Sequence, residues 1–479
     1  MPESTRDDMS DRQAAAKALL ESHGQDHVLA DWERLDAAAR TALLEQIEQL
    51  PWQEIEQERR LLSTVDPVPA VEHELAPPIV SEPDATTRAE YRAVGEAWIA
   101  AGRVAAFTVA GGQGTRLGWN GPKGTYPATP VSGKPLFACF AEQLLAVERR
   151  HGIPVPWYIL TSPENDTATR NFLLDNKCFG LERNNIMLCM QGTMPVFESG
   201  TGRLLMAGPD RIATSPDGHG GALDALARSG ALADMGVRGV DLISYTQVDN
   251  PLATVIDPVF IGLHVDERHS SCEVSSKVVE KTEPSERVGV FARCGESTTV
   301  IEYSDLSSDR AGAHDEAGRL RFNAGNIAIH LFSRDFVEGV VGDGRTGSPW
   351  HRAVKAMPAW DASAGHLVEP EQPNAVKLER FIFDVLTEAR RPAILRVERA
   401  EEFAPIKNAH GADSPATSRQ LQSDLHGGWL ESCGTEIPRD VQGHVDAAVE
   451  ISPLTALCVE ELRSVELPSQ VGRGDSILL

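Results

Sequence analysis

Positive charge is in short supply along this sequence. Its 45 lysines and arginines face 70 aspartates and glutamates, a formal net charge of −25. Most of the surface therefore repels a long polyanion, which argues against duplex nucleic acid and anionic membrane as partners. A small anionic substrate is still admissible, because a local basic pocket outweighs a field arising beyond a Debye length of roughly 8 Å. Aromatic residues are sparse too, at 6%. Long apolar runs are missing: the most apolar stretch, Trp98 to Gly112, carries Arg103 and falls short of the ~20 residues that span a bilayer. The seven cysteines (139, 178, 189, 272, 294, 433 and 458) are odd in number and scattered, with no CxxC pair and no zinc spacing. They read as reduced, mostly buried thiols rather than a disulfide framework. The opening segment, MPESTRDDMSDRQ, has neither the basic nor the apolar region of a secretory leader, so the expected location is the cytoplasm.

What is present is an ordinary globular composition, 41% hydrophobic and 24% charged over 479 residues, enough for one large domain with appendages or for two to three domains. Residues 1 to about 64 carry apolar positions at helical spacing, among them Leu19, Leu20, Leu43, Leu44 and Ile47. A proline-rich stretch, 67 to 84, then denies the backbone a continuous helix. From about Thr87 short apolar runs alternate with amphipathic segments: strands at 104–110, 157–161, 186–190 and 240–247, with helices near 137–150, 164–177, 222–234 and 257–268. Such alternation predicts βαβ units and a mainly parallel sheet, with ligands at the carboxyl ends of its strands. Further strands are expected at 273–280, 288–293, 299–303 and 326–332, and a helix at 377–389 with Leu378, Phe381, Ile382, Val385 and Leu386 on one face. Past Gly411 glycines, prolines and short apolar runs suggest a small β-rich domain.

The strand at 104–110 runs into Gly111, Gly112, Gln113, Gly114, Thr115, Arg116, Leu117 and Gly118, followed by Gly121, Pro122, Lys123 and Gly124. Glycines let backbone N–H groups approach a phosphate or base closely, and successive N–H groups form an anion-binding concavity. Arg116 and Lys123 add positive charge where a polyphosphate would lie. Glycines 112, 114 and 118 break the register of the dinucleotide fingerprint, and no G-K-[ST] marks a P-loop. No G-x-S-x-G or Cys/His arrangement suggests a covalent nucleophile.

GGQGTRLG followed by PKG resembles the signature loop of sugar-nucleotide pyrophosphorylases. QGTMP (191–195), PDGHGG (216–221), QVDN (247–250), KVVEKTEPSERVGV (277–290), IEYSDL (301–306), FNAGNIA (322–328), PNAVKLERFIFD (373–384) and EEFAPIKNA (401–409) follow in order. Together they are similar to the UDP-N-acetylhexosamine pyrophosphorylases, over roughly residues 90 to 435. The resemblance implies a Rossmann-like nucleotidyltransferase domain with a mixed, mainly parallel sheet at 86–405. It would be preceded by a helical N-terminal segment and linker, 1–85, and followed by a small β-rich C-terminal domain, 406–479.

The same resemblance implies site residues. Ala110, Gly111 and Gly112 would line the UTP site, Arg116 and Lys123 would face its phosphates, and Gln191 and Gly218 would hold the uracil edge. Asp249 would contact nucleotide and Mg2+, Glu302, Tyr303, Asn326 and Gly289 would hold the sugar, and Lys377 and Lys407 would bind phosphate. The residues themselves partly agree. Asp249 ends the apolar strand LISYTQV, where a carboxylate suits a hard divalent cation, although a turn or cap aspartate reads the same way. Lys407 interrupts an apolar stretch, and Lys377 sits where a helix dipole would disfavour it. Asn326 could satisfy its own backbone as an Asx turn.

One position departs from the pattern. The PDG block of the acetylhexosamine enzymes continues with asparagine, whereas His219 stands here, as in UDP-glucose pyrophosphorylases. The expected reaction is therefore UTP with N-acetylglucosamine 1-phosphate, with glucose 1-phosphate as the alternative and a non-catalytic nucleotide-sugar-binding protein as a further one. The oligomeric state is left open between monomer and homodimer.

Overall fold

A computed structural model describes residues 3–63, 75–342 and 349–479. Of the proline-rich stretch, residues 67–74 lie outside the described residues. Among the described residues no helix is long and apolar enough to cross a membrane. The chain divides into two compact units, neither continuous in sequence: one takes residues from Met1–Val71, Gly192–Gly221 and Ser348–Ile382, the other from Glu72–Gln191, Ala222–Gly347 and Phe383–Leu479.

The larger unit is built on a ten-stranded mixed sheet. Its strands are β1 (Leu75–Ala76), β2 (Val104–Val109), β3 (Trp157–Thr161), β4 (Ile186–Met190), β5 (Leu242–Gln247), β6 (Val274–Glu280), β7 (Val290–Cys294), β8 (Ser297–Ile301), β9 (Ala324–Ser333) and β10 (Ala393–Arg396). The main path runs β1-β7-β9-β5-β2-β3-β4, with β6 joining β9 to β10 and β8 flanking β7. Strands β5, β2, β3 and β4 are mutually parallel, while β9 runs antiparallel to β5, β6 and β7. Strand β3 is buried along its whole length and β2 along all but its last residue, as expected of inner strands covered on both faces. One cover is the helix Leu136–His151, which turns Leu136, Phe137, Phe140, Leu144 and Val147 to the core and stops at Gly152 in the left-handed region. Another is the helix Ala85–Ala100, which starts where Asp84 caps the N–H of Thr87.

That second helix packs on Pro258–His264 at a contact made by glycines on both sides. A Cβ on Gly95 would lie 1.9 Å from the Pro258 carbonyl oxygen, and one on Gly262 would lie 2.1 Å from that of Tyr91. The C-terminal part of this unit opens with the 18-residue helix Pro415–Ser432, held at its start by a Ser414/Thr417 capping box. Short pieces follow, including the parallel pair Ala448–Glu450 and Ser476–Leu478.

In the smaller unit, the helices Glu3–Ser22, Ala37–Gln49 and Trp52–Ser63 share a core, including Leu20, Leu43, Ile47, Phe197, Leu204 and Leu378. Here the structure corrects one expectation: residues 377–389 do not form a helix. Lys377 lies on the strand Ala375–Glu379, paired with His351–Lys355 and Phe197–Glu198, and only Ile382–Glu388 coil, as a 3-10 turn. Ala375, Val376 and Leu378 are buried, so partners distant in sequence outweigh the local helical spacing.

Candidate active site

The parallel register lines up four strand ends. Gln247 of β5 sits opposite Val109 of β2, and Thr161 of β3 opposite Met190 of β4. The next residues keep the ladder for one more bond each: Val248 N donates to Val109 O (3.1 Å), Ala110 N to Leu160 O (3.0 Å) and Gln191 N to Thr161 O (2.8 Å). Ala110, Gln191 and the 248–249 turn therefore share one edge of the sheet. Because β9 runs antiparallel to β5, its amino end, with Asn326, comes to that same edge.

From Ala110 the chain enters the glycine loop and folds back on itself. Gly114 N donates to Gly121 O (2.9 Å) and Lys123 N to Gly112 O (3.1 Å), so Lys123 returns beside the start of the loop. Its ammonium reaches Asp249 Oδ2 at 3.2 Å. At Gly111 a side chain would meet Gln191 Oε1 at 2.6 Å, and at Gly124 it would enter the Phe137 ring at 2.2 Å. Asn165, which the sequence patterns did not single out, fixes the loop from beneath. It is fully buried, its amide donates to Ala110 O (2.9 Å) and Gly112 O (3.3 Å), and it accepts the Ser162 N–H at 2.8 Å. Its only signal was a polar residue just after a buried strand.

Asp249 is the electrostatic centre. Burial opposes its ionisation, but the ammonium groups of Lys123 and Lys407 and the Lys123 hydrogen bond outweigh that, holding its carboxyl below the ordinary value. Lys407 is half-buried, with its Nζ 5.4 Å above the Phe403 ring. Arg116 is exposed and has no hydrogen-bond or ion-pair partner among the described residues.

Gly289, Glu302 and Asn326 also come together. Asn326 N donates to Gly289 O (2.8 Å), and a Cβ on Gly289 would lie 3.2 Å from Glu302 Oε1. The Asx contact does form, since Ala328 N donates to Asn326 Oδ1 at 2.9 Å; the amide nitrogen of Asn326 has no partner among the described residues. Tyr303, just past β8, is 48% exposed.

Gly218, His219 and Lys377 belong to the smaller unit. Gly218 has φ +83° and lies against Arg380, whose carbonyl oxygen would be 2.4 Å from an added Cβ. Burial pushes the His219 imidazole down to about 4, with His351 adding to the effect, so the ring is neutral. Its Nδ1 accepts the Ile382 N–H at 3.1 Å, and its face stacks on Phe381 at 5.3 Å. Lys377 is half-buried, and its side chain has no hydrogen bond or ion pair among the described residues. A cavity of about 400 Å³ lined by Arg92, Gln143, Asp257 and Trp429 exists in the larger unit and shares no residue with the glycine-loop site.

A glycine loop closing a buried parallel strand, with two ammonium groups acting on one strand-end carboxylate, is suited to a nucleotide polyphosphate, and the protein is a nucleotidyltransferase. The UTP–glucose-1-phosphate uridylyltransferase family matches residues 73–413. UDP-N-acetylglucosamine diphosphorylase 2 of Arabidopsis thaliana is 35% identical over 470 residues, covering 93% of this chain and 90% of its own. UDP-N-acetylglucosamine pyrophosphorylase of Saccharomyces cerevisiae is 35% identical over 437 residues, covering 87% and 91%. The crystal structure of the uridine diphosphate N-acetylglucosamine pyrophosphorylase from Trypanosoma brucei in complex with inhibitor is similar with a TM-score of 0.79, at 27% identity over 98% of both chains. The chain belongs to the UTP–glucose-1-phosphate uridylyltransferase family, in its UDP-N-acetylhexosamine pyrophosphorylase branch.

Proposed function

We propose that this enzyme makes UDP-N-acetylglucosamine and pyrophosphate from UTP and N-acetylglucosamine 1-phosphate. The observation that carries the chemistry is the Lys123–Asp249 pair beside the glycine loop, with Lys407 acting on the same carboxylate. A sugar-phosphate oxygen attacks the α-phosphorus of UTP in line, the bond from that phosphorus to the bridging oxygen breaks, and pyrophosphate leaves on the opposite side. The nucleophile is already an anion, so the task is to bring two polyanions together and neutralise their charge. Within the larger unit, backbone groups of Ala110, Gly111 and Gly112 line the nucleotide, Gln191 holds the base, and Arg116, Lys123 and Lys407 bind phosphate oxygens. Gly289, Glu302, Tyr303 and Asn326 of the same unit receive the sugar.

Asp249 would hold Mg2+. It is ionised at neutral pH, and among the described residues no three His, Cys, Asp or Glu side chains gather as a metal cage. That fits Mg2+, which is commonly held by one or two carboxylates together with substrate phosphates. The ion would supply charge neutralisation on the triphosphate. All seven cysteines are unpaired, which fits a reducing compartment, and we place the enzyme in the cytoplasm.

The sugar assignment follows the relatives at 35% identity. His219 gives little support to glucose, because its Nδ1 and one ring face are engaged by Ile382 and Phe381. The test is pyrophosphate release with UTP and Mg2+ and, in parallel, N-acetylglucosamine, glucose and galactose 1-phosphates. The acetylated sugar is expected to react fastest. Preference for glucose would reverse the sugar assignment, and silence with all three while UTP still binds would replace the enzyme by a binding protein.

A further inference from the structure

Lys407 follows a segment, Phe403 to Ile406, that belongs to no strand yet is buried throughout. Its backbone polar groups therefore need partners. Asp249 and Asn250 supply them in a ladder. Asn250 Nδ2 donates to Glu402 O (2.6 Å), Asn250 Oδ1 accepts from Ala404 N (3.0 Å), and Asp249 O accepts from Ile406 N (2.8 Å). The Asn250 side chain, 3% exposed, thus acts as an extra peptide group, pairing with the segment as a neighbouring strand would. Pro405, which has no N–H to offer, falls between the two donors.

Both ends of the segment are tied independently. Glu402 is held through the fully buried ammonium of Lys277, which also bonds Asp257 at 2.7 Å. Beyond Ile406, Lys407 N donates to Asp413 O (2.7 Å), and from the adjoining helix Ser418 Oγ donates to Ala404 O (2.6 Å). What Asn250 adds is the link to its neighbour. It follows Asp249 directly, so the clip ties the backbone of the carboxylate to the backbone leading to Lys407.

We propose that Asn250 is a positioning residue that sets Lys407 against Asp249 and the transferring phosphate. The inference rests on the reading of Lys407 as a phosphate-binding lysine. An error of about 1 Å in such a group can cost ~10²-fold in turnover. Asn250 itself touches no substrate; it acts through Lys407.

The test is a double-mutant cycle in the full chain. Wild type, Lys407→Ala, Asn250→Ala and the double variant are compared for kcat and KM in pyrophosphate release from UTP and N-acetylglucosamine 1-phosphate with Mg2+. Thermal unfolding is followed alongside. Lys407→Ala is expected to lose ~10²-fold or more in kcat, and Asn250→Ala about 10- to 100-fold with the KM for UTP within a few-fold. On the Lys407→Ala background, Asn250→Ala should cost less than about 3-fold further. A full multiplicative loss there, or an unchanged kcat in folded Asn250→Ala, overturns the proposal. Should Asn250→Ala not fold, Ser418→Ala loosens the same segment from its other side and must show the same non-additivity. If Lys407→Ala is harmless, the reading of Lys407 falls and takes this inference with it. If Lys407→Ala is crippling while Asn250→Ala is not, that reading stands and only the positioning role fails.

Discussion

Asp249 has to stay ionised where water barely reaches: its side chain is only 14% exposed. Two lysines, Lys123 and Lys407, make that possible. Asp249→Asn keeps the shape and a hydrogen-bond acceptor for Lys123 but removes the charge. Turnover should fall by ~10²-fold or more, and raising Mg2+ should not restore it. A variant recovered by tenfold more Mg2+ would mean that the carboxylate only aids metal capture. Because its carboxyl is held below the ordinary value, Asp249 contributes stability that is present above about pH 4 and lost as pH falls through its folded value. His219 leads to a second prediction. With its Nδ1 on Ile382 N–H and its ring on Phe381, His219→Asn should lower the thermal midpoint of the smaller unit by several degrees. The ratio of kcat/KM between acetylated and plain glucose 1-phosphates should stay within about fivefold, since this is less than 1 kcal/mol in differential binding. A larger change would make the histidine a sugar-selecting residue after all.

At the scale of elements, legibility followed burial. The runs VAAFTV, WYILT and LISYTQ were readable as strands because inner strands are apolar on both faces, and their ends located the glycine loop and Asp249. The helix expected at 377–389 does not form: Leu378, Phe381, Ile382, Val385 and Leu386 fit a helical spacing, but the strands that capture residues 375–379 lie at 351–355 and 197–198. The helix 415–432 went unannounced for the opposite reason. Its buried positions include Pro415, Ser418, Gln422, Ser423 and Gly427, small or polar residues that mark no apolar stripe. Nor could spacing reveal the contact between helices 85–100 and 258–264, which depends on two glycines more than 160 positions apart in sequence. That contact can be tested directly. The clash at Gly95 is with backbone, which no rotamer change relieves, so Gly95→Ala must push the helices apart. We expect a loss of about 1–3 kcal/mol, read as a lower denaturant midpoint at unchanged slope. Gly339→Ala, with nothing within 4 Å of the added carbon, is the control and should not lose stability.

At the scale of the whole molecule, periodicity is local and could not foresee that residues 3–63, 192–221 and 349–382 would assemble together. Both units, however, hold histidines that burial keeps neutral, His264 fully and His219 and His426 partly removed from water, and this sets a shared response to acid. His219 in the smaller unit and His264 and His426 in the larger are each pushed down to about 4, chiefly by burial. Unfolded, each takes a proton near its ordinary value of 6.5, so between about pH 6.5 and 4 the unfolded chain binds more protons than the folded one. Stability then rises with pH across that window and falls on acidification, by up to about 1.4 kcal/mol per pH unit for each histidine. The loss begins well above the range where depressed carboxylates such as Asp249 are protonated, so it should appear first. Denaturant midpoints measured at pH 7.5, 6.0 and 5.0 should drop steadily, and His426→Gln should flatten the fall for the larger unit. Midpoints constant down to pH 5 would mean that the buried imidazoles are protonated in the folded protein, with counter-charges near enough to offset their burial.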